Sequence, residues 1–261
     1  MHRFTTSARE VVEYYGLDGI DIDWEYPRSV EAGQQFLELM TRLRQVLPQP
    51  YRLSTALPAG EWVLEFIPLA ALAKQIDALN LMAYDFVGAH WGPGVTGHQA
   101  QLYASTGESG GSGNAGVQYV IDRGLPAAKI MLGIPLYGRT FESTDGLRRP
   151  FQGTGRQEAY LVKDLPLPGM QEVYDPAAVA VYAYGDGELI TYDSKDSVTK
   201  KAEYARGKGL AGLFYWQIAG DRFGGDSLIR AGFMALNSSG IDTAHVADES
   251  IHQGGLQEPQ P

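Results

Sequence analysis

An α/β fold built on a parallel sheet is what this sequence predicts, and three observations predict it. Short apolar runs alternate with longer stretches at helical spacing, the order that gives strand–helix–strand units. Hydrophobic residues make up 44% of the chain, enough to bury a sizeable core. The 261 residues suit one large domain or two small ones and contain no internal repeat.

The elements follow in order. Phe4, Ala8, Val11, Val12 and Tyr15 recur at helical spacing and predict an opening amphipathic helix rather than an export signal. Ile20–Tyr26 reads as a strand, and Val30–Leu47 as a long helix. Arg52–Leu57 is a second strand, Glu65–Lys74 a helix, and Asp77–Tyr84 a third strand. A Gly-rich loop leads to a helix over Ala115–Arg123, and Lys129–Leu136 is a fourth strand. Residues 141–193 break the rhythm with turns and short pieces such as Val179–Tyr184 and Leu189–Tyr192. A helix over 196–207, a strand Gly212–Ile218 and a helix Ser227–Leu236 restore it. Residues 238–261 are polar, lack periodicity and read as a disordered tail, and Asn237-Ser238-Ser239 is a glycosylation sequon.

Composition excludes several classes of function. A net charge of −10 gives no basic footprint, which excludes nucleic acid and anionic membranes as partners. No apolar run is long enough to span a membrane. The absence of cysteine removes disulfides and thiolate zinc sites. The five histidines, His2, His90, His98, His245 and His252, are scattered, so no metal or other cofactor is expected.

Chemistry concentrates in Asp18-Gly19-Ile20-Asp21-Ile22-Asp23-Trp24-Glu25. Strand side chains alternate, so Asp21, Asp23 and Glu25 share one face while Ile20, Ile22 and Trp24 share the other. Neighbouring acids then lie about 6.5–7 Å apart. Buried ionised carboxylates are costly unless paired, so folding gains nothing from such a row. The bland reading, an edge strand turning its acids to water, fits poorly with an apolar opposite face and flanking helices. Acids this close do not all ionise, and at least one holds its proton above the usual carboxylate range. A proton kept on Glu25, at the strand's carboxyl end, is what a general acid requires.

The spacing Asp18-Gly-x-Asp21-x-Asp23-x-Glu25 resembles the signature of glycoside hydrolase family 18, the chitinases. Asn80-Leu81-Met82-Ala83-Tyr84-Asp85 is similar to that family's sixth barrel strand, Gly133–Arg139 to its seventh and Gly212–Trp216 to its eighth. The resemblance runs over residues 4–237, and its wording is nearest to fungal and animal chitinases. It implies a (β/α)8 TIM barrel, retaining hydrolysis of β-1,4-linked N-acetylglucosamine (chitin), and the substrate's acetamide as nucleophile. It implies Glu25 as acid and base, Asp23 as the group orienting the acetamide, Asp21 as its proton partner, and Tyr84 as a donor to the acetamide carbonyl. Met82, Asp85, Tyr137, Arg139 and Trp216 would bind the sugar, with Trp216 as its floor; a shared parity of Met131, Gly133, Pro135, Tyr137 and Arg139 supports the transfer. Chitin or its oligosaccharides would be the partner, and the compartment extracellular.

Residues 1–140 would form one barrel portion, 141–193 an inserted α+β lobe, and 194–237 the closing portion. Gly111-Ser112-Gly113-Asn114-Ala115-Gly116 matches a dinucleotide fingerprint but lacks the strand that must precede it, and reads as a loop. The barrel is incomplete in this reading. One helix precedes Asp18 where the family has three strands, about five strands are present, and the family's Ser-x-Gly-Gly strand motif is missing, since Ser109-Gly110-Gly111 falls in a loop. The chain therefore reads as an N-terminally truncated member. A chitin-binding lectin, an inactive fragment and an endo-β-N-acetylglucosaminidase are the alternatives; the presence of Glu25 favours the enzyme, and Trp216 favours a chitin cleft. Open sheet edges predict low stability for the chain alone. Calorimetry checks this: a broad unfolding at modest temperature is expected, and a single cooperative high-temperature transition counts against it.

Overall fold

The computed structural model of the chain describes residues 2–104 and 111–238. The tail from residue 239 onward lies outside the described residues, with His245, His252 and the last residue of the sequon; so do Ser109 and Gly110.

Five strands, β1 (Gly19–Ile22), β2 (Arg52–Pro58), β3 (Ala78–Met82), β4 (Ile130–Pro135) and β10 (Gly212–Trp216), form a parallel sheet in the order β1-β2-β3-β4-β10. Helix α1 (His2–Tyr15) precedes β1, α2 (Val30–Val46) follows it, and α3 (Glu61–Leu64) and α4 (Leu69–Leu72) follow β2. Helix α5 (Gly113–Asp122) leads into β4, while α6 (Lys195–Gly207) and α7 (Leu228–Asn237) flank β10. Between β4 and α6 the strands β5 (Tyr137–Glu142), β6 (Ala159–Leu161), β7 (Gln171–Asp175), β8 (Ala180–Gly185) and β9 (Glu188–Tyr192) form an antiparallel sheet in the order β6-β5-β9-β8-β7. The parallel strands form an incomplete barrel: among the described residues β1 and β10 are its two unclosed edges.

Helix α2 shows why the flanking helices form where they do. Ser29 caps its start by accepting from the Ala32 N–H. Phe36, Met40 and Leu43 then recur on one face and are fully buried against the sheet. Burying each is worth about 1.5–3 kcal/mol. Helix α1 is less well covered, since Ala8 and Val12 are buried while Phe4, Val11 and Tyr15 are exposed.

Several sequence expectations differ from the structure. The strand expected over Ile20–Tyr26 ends at Ile22, because the Thr55 hydroxyl donates to the Ile22 carbonyl and closes the ladder. The strands expected to reach Tyr84 and Ile218 end at Met82 and Trp216. The helix expected over Glu65–Lys74 is replaced by α3 and α4, with Pro68 between them, which cannot donate within a continuous helix. The run from Met131 to Arg139 is shared between two strands, β4 and β5. The Leu136 N–H donates to the Trp216 carbonyl in the parallel sheet, and the Leu136 carbonyl accepts from Val162 beside the antiparallel one. Tyr137 and Arg139 thus belong to the second sheet.

That second sheet is fixed to the first. Lys201 of α6, only 2% exposed, donates to both oxygens of Asp193 at 2.7 Å and to the Ala100 carbonyl at 2.5 Å. Arg222 donates to the carbonyls of Val162 and Leu165. Removing one partner of a buried ion pair strands the other charge. Lys201→Ala is therefore expected to cost about 3–5 kcal/mol in urea unfolding. The double change Lys201→Met with Asp193→Leu is expected to cost much less.

Candidate active site

Because the five strands run the same way, all their carboxyl ends open on one rim. A cleft of about 1580 Å³ lies there. Asp21, Asp23 and Glu25 reach it from β1 and its continuation, Trp62 from beyond β2, Met82 from the end of β3, and Tyr84 and Asp85 from just past it. Tyr137 and Arg139 enter from β5, and Trp216 from the end of β10. All nine residues singled out in the sequence line this one cleft.

Gly19 makes the first approach possible. It pairs with Arg52, and a Cβ at Gly19 would stand 1.9 Å from the Arg52 carbonyl oxygen. Beyond it, exposed Asp21, buried Ile22, exposed Asp23, half-buried Trp24 and exposed Glu25 keep the strand alternation past the end of β1. Trp24 packs edge-on against Phe36 of α2, with ring centroids 6.1 Å apart, which holds the acids on the opposite side. Asp21 is held by two donors on one oxygen, the Ser54 hydroxyl at 2.5 Å and the Asn80 amide at 2.9 Å. Within the row the Asp23 carboxyl is raised from its ordinary value. Lost hydration raises it first, then the charges of Glu25 and Asp21.

Phenols surround the acids. Burial, then the charges of Asp85, Asp23 and Glu25, pushes the Tyr84 hydroxyl up, so it remains a donor at any working pH. Gly133 leaves room for it: a Cβ there would meet the rings of Tyr84 and Phe214 at 2.8 Å. Tyr26 is likewise raised by burial and then by its hydrogen bond to Glu25.

Asp85 organises the other wall. Its carboxylate accepts the Tyr137 hydroxyl at 2.9 Å and the Arg139 guanidinium at 2.7 and 3.0 Å. Arg139 lies between the rings of Trp91 and Tyr137, 5.0 Å from each centroid, and Trp91 donates its indole N–H to the Asp85 carbonyl at 2.8 Å. Trp216 leaves 56% of its surface open.

Sequence reasoning missed several lining residues. Tyr26, Arg28 and Trp62 cluster in the cleft lining, with the Arg28 guanidinium 4.8 Å from the Trp62 ring and 5.5 Å from that of Tyr26. Trp91 was missed as well. The available signal was position, since Trp62 and Trp91 follow β2 and β3 at their carboxyl ends. The fingerprint-like glycines have packing roles. Ser112 caps α5, and a Cβ at Gly116 would stand 2.6 Å from that of Ala59.

Comparison with known proteins gives the family. Residues 1–221 match the family described as Glycosyl hydrolases family 18. Endochitinase 1 of Metarhizium robertsii is 36% identical over 244 residues, which are 87% of this chain and 57% of that protein. A mutant class V chitinase from Nicotiana tobaccum in complex with NAG4 superposes with a TM-score of 0.82 at 29% identity, over 90% of this chain and 73% of that one. The chitinase-like agglutinin RobpsCRA from Robinia pseudoacacia superposes at 0.80 and 29% identity, over 89% and 71%. This chain spans less than three fifths of the length of the curated fungal relative.

The acid row has a measurable electrostatic consequence. With its folded pKa raised, Asp23 contributes stability that is present below the unfolded value and is lost as pH rises through the folded one. Glu25→Gln removes one of the charges that raise Asp23, so a carbon-13 carboxyl titration is expected to show Asp23 moving down. An unmoved Asp23 would assign its shift to burial and the charge of Asp21, with no part for Glu25.

Proposed function

We propose a chitin-cleaving function for this chain, which belongs to glycosyl hydrolases family 18. The observation that carries the reading is the meeting, in one cleft, of the Asp21-Asp23-Glu25 row with Tyr84 and Trp216. Glycosidases of the two-carboxylate kind need a second acid as nucleophile or base. The acids here project from one strand and its extension, on one side, which suits a substrate that carries its own nucleophile.

In this reading a 2-acetamido sugar sits over Trp216. Glu25 gives its proton to the glycosidic oxygen as that bond breaks, and the acetamide carbonyl oxygen bonds to the anomeric carbon to form an oxazolinium ion. Asp23 orients the acetamide N–H and balances its growing positive charge, while Asp21 shares the Asp23 proton. The Tyr84 hydroxyl, held protonated by burial, donates to the acetamide oxygen. Glu25 then takes a proton from water, which attacks the same carbon from the leaving-group side as the bond from that carbon to the acetamide oxygen breaks; the acetamide is regenerated and the configuration is retained. Asp85, Tyr137 and Arg139 hold sugar hydroxyls, and Met82 packs beside them. Tyr26, whose raised phenol responds to Glu25, stays protonated beside the acid. The substrate is chitin or an N-acetylglucosamine oligosaccharide, and the work is extracellular, where that polymer lies.

A second reading, binding without hydrolysis, draws on the likeness to the agglutinin. The acid at Glu25 beside a raised Asp23 favours hydrolysis over it. The deciding assay is product release from a fluorogenic N-acetylglucosamine oligomer by the chain and by Glu25→Gln. Activity is expected, with the variant slower by about 10²–10⁴-fold, the span of a lost general acid. Oligomer binding with no release from either protein would favour the second reading.

A further inference from the structure

Gln99 does not line the cleft and is fully buried behind it. Its side-chain oxygen accepts the backbone N–H of Asp85 at 3.2 Å. Its side-chain nitrogen donates to the backbone carbonyl of Tyr137 at 2.8 Å. The main chain of the same residue adds two more ties. The Gln99 carbonyl accepts from the Phe86 N–H at 2.9 Å, and the Gln99 N–H donates to the Thr191 hydroxyl of β9 at 3.2 Å. One amide thus joins the segment leaving β3 to the first residue of β5. On the cleft side the same two segments are joined by Asp85 with Tyr137 and Arg139.

The local backbone explains why such a clamp matters. Asp85 sits at φ 58°, in the left-handed region, which a residue with a Cβ occupies only when its surroundings hold it there. Released, Asp85 would swing its carboxylate away from Tyr137 and Arg139. Its preceding neighbour Tyr84 would move with it. The clamp also needs this residue type. The group must accept from an N–H at one end and donate to a carbonyl at the other, which a primary amide does in one plane. A glutamate would set a second oxygen against the Tyr137 carbonyl, and a methionine of similar length would offer neither bond.

We propose that Gln99 is a positioning residue for the cleft: its amide sets the spacing between Tyr84–Asp85 and Tyr137–Arg139, and so how tightly an N-acetylglucosamine unit is gripped. The role in gripping sugar rests on the function proposed above, whereas the control of Asp85 does not.

The test uses the chain beside Gln99→Met and Gln99→Glu, with two readouts. The first needs no substrate. The Trp91 indole N–H reports its bond to the Asp85 carbonyl, so its proton–nitrogen resonance is expected to shift in Gln99→Met while circular dichroism stays unchanged. The second is turnover of the fluorogenic oligomer. Misplacement of the wall is expected to lower kcat/KM on the order of 10²-fold in Gln99→Met. Gln99→Glu is expected to match that loss at neutral pH and to recover relative to the parent as pH falls, because its protonated carboxyl again donates to Tyr137. A lowered melting temperature with an unmoved Trp91 resonance and a variant-to-parent ratio flat in pH would reduce Gln99 to a packing residue and overturn the proposal. If the parent turns over no oligomer, the proposed function fails, and the Trp91 resonance still decides whether Gln99 controls Asp85. If Gln99→Met does not fold, the Trp91 resonance of Gln99→Glu at acidic and neutral pH makes the same decision.

Discussion

Parallel pairing of β1 with β2 sets Gly19 against Arg52, Asp21 against Ser54 and Ile22 against Thr55. A shift by one residue would turn Ile22 and Trp24 toward the cleft and bury the three acids. Close contact at Gly19 fixes that register, since any side chain there would strike the Arg52 carbonyl. The Ser54 hydroxyl, opposite Asp21, and the Thr55 hydroxyl, on the Ile22 carbonyl, then finish what the backbone ladder begins. The acids reach the rim because hydrophobic Ile22 and Trp24 are committed to the other side, against the helices.

Asp85 does for the second wall what Gly19 does for the first. It lies just past the end of β3, and its carboxylate collects Tyr137 and Arg139 from the antiparallel sheet. Arg139 in turn spans the gap between Trp91 and Tyr137. Two sheets with unrelated hydrogen-bond ladders thus share one cleft through a single charged side chain. Around that joint the ties are buried and numerous: Leu136 serves both sheets with its two backbone groups, and Lys201 draws Asp193 to the loop at Ala100. Buried hydrogen bonds hold the wall formed by the lobe, and held geometry is what the proposed reaction requires.

Solvent has a hand in the electrostatics. The side chains of the row are exposed toward the cleft, and Asp23 is nonetheless raised. Lost hydration contributes most there, and the charges of Glu25 and Asp21 on either side add to it. The phenols of Tyr84 and Tyr26 respond in the same sense and stay protonated. The site is thereby a set of donors arranged around a carboxyl row.

Much of this was written in the sequence itself. Period-two alternation from Ile20 to Glu25 determined which side chains share the cleft, and that parity survives where the ladder stops. The order of strand and helix determined a parallel sheet, and with it a common rim for Asp23, Tyr84 and Trp216. Local pattern fails where the deciding contact is distant in sequence. Leu136 divides what read as one strand because its N–H and carbonyl find partners at Trp216 and Val162. Tyr26, Arg28 and Trp62 meet only after α3 follows β2 to the rim. Gln99 and Asp85 are fourteen positions apart, and nothing in their spacing marks the bond between them. The sequence by itself determined the faces, since side-chain direction follows from the strand backbone alone. Only the tertiary structure decided which faces meet, because hydrogen bonds and ring contacts between remote segments depend on distances that no periodicity records.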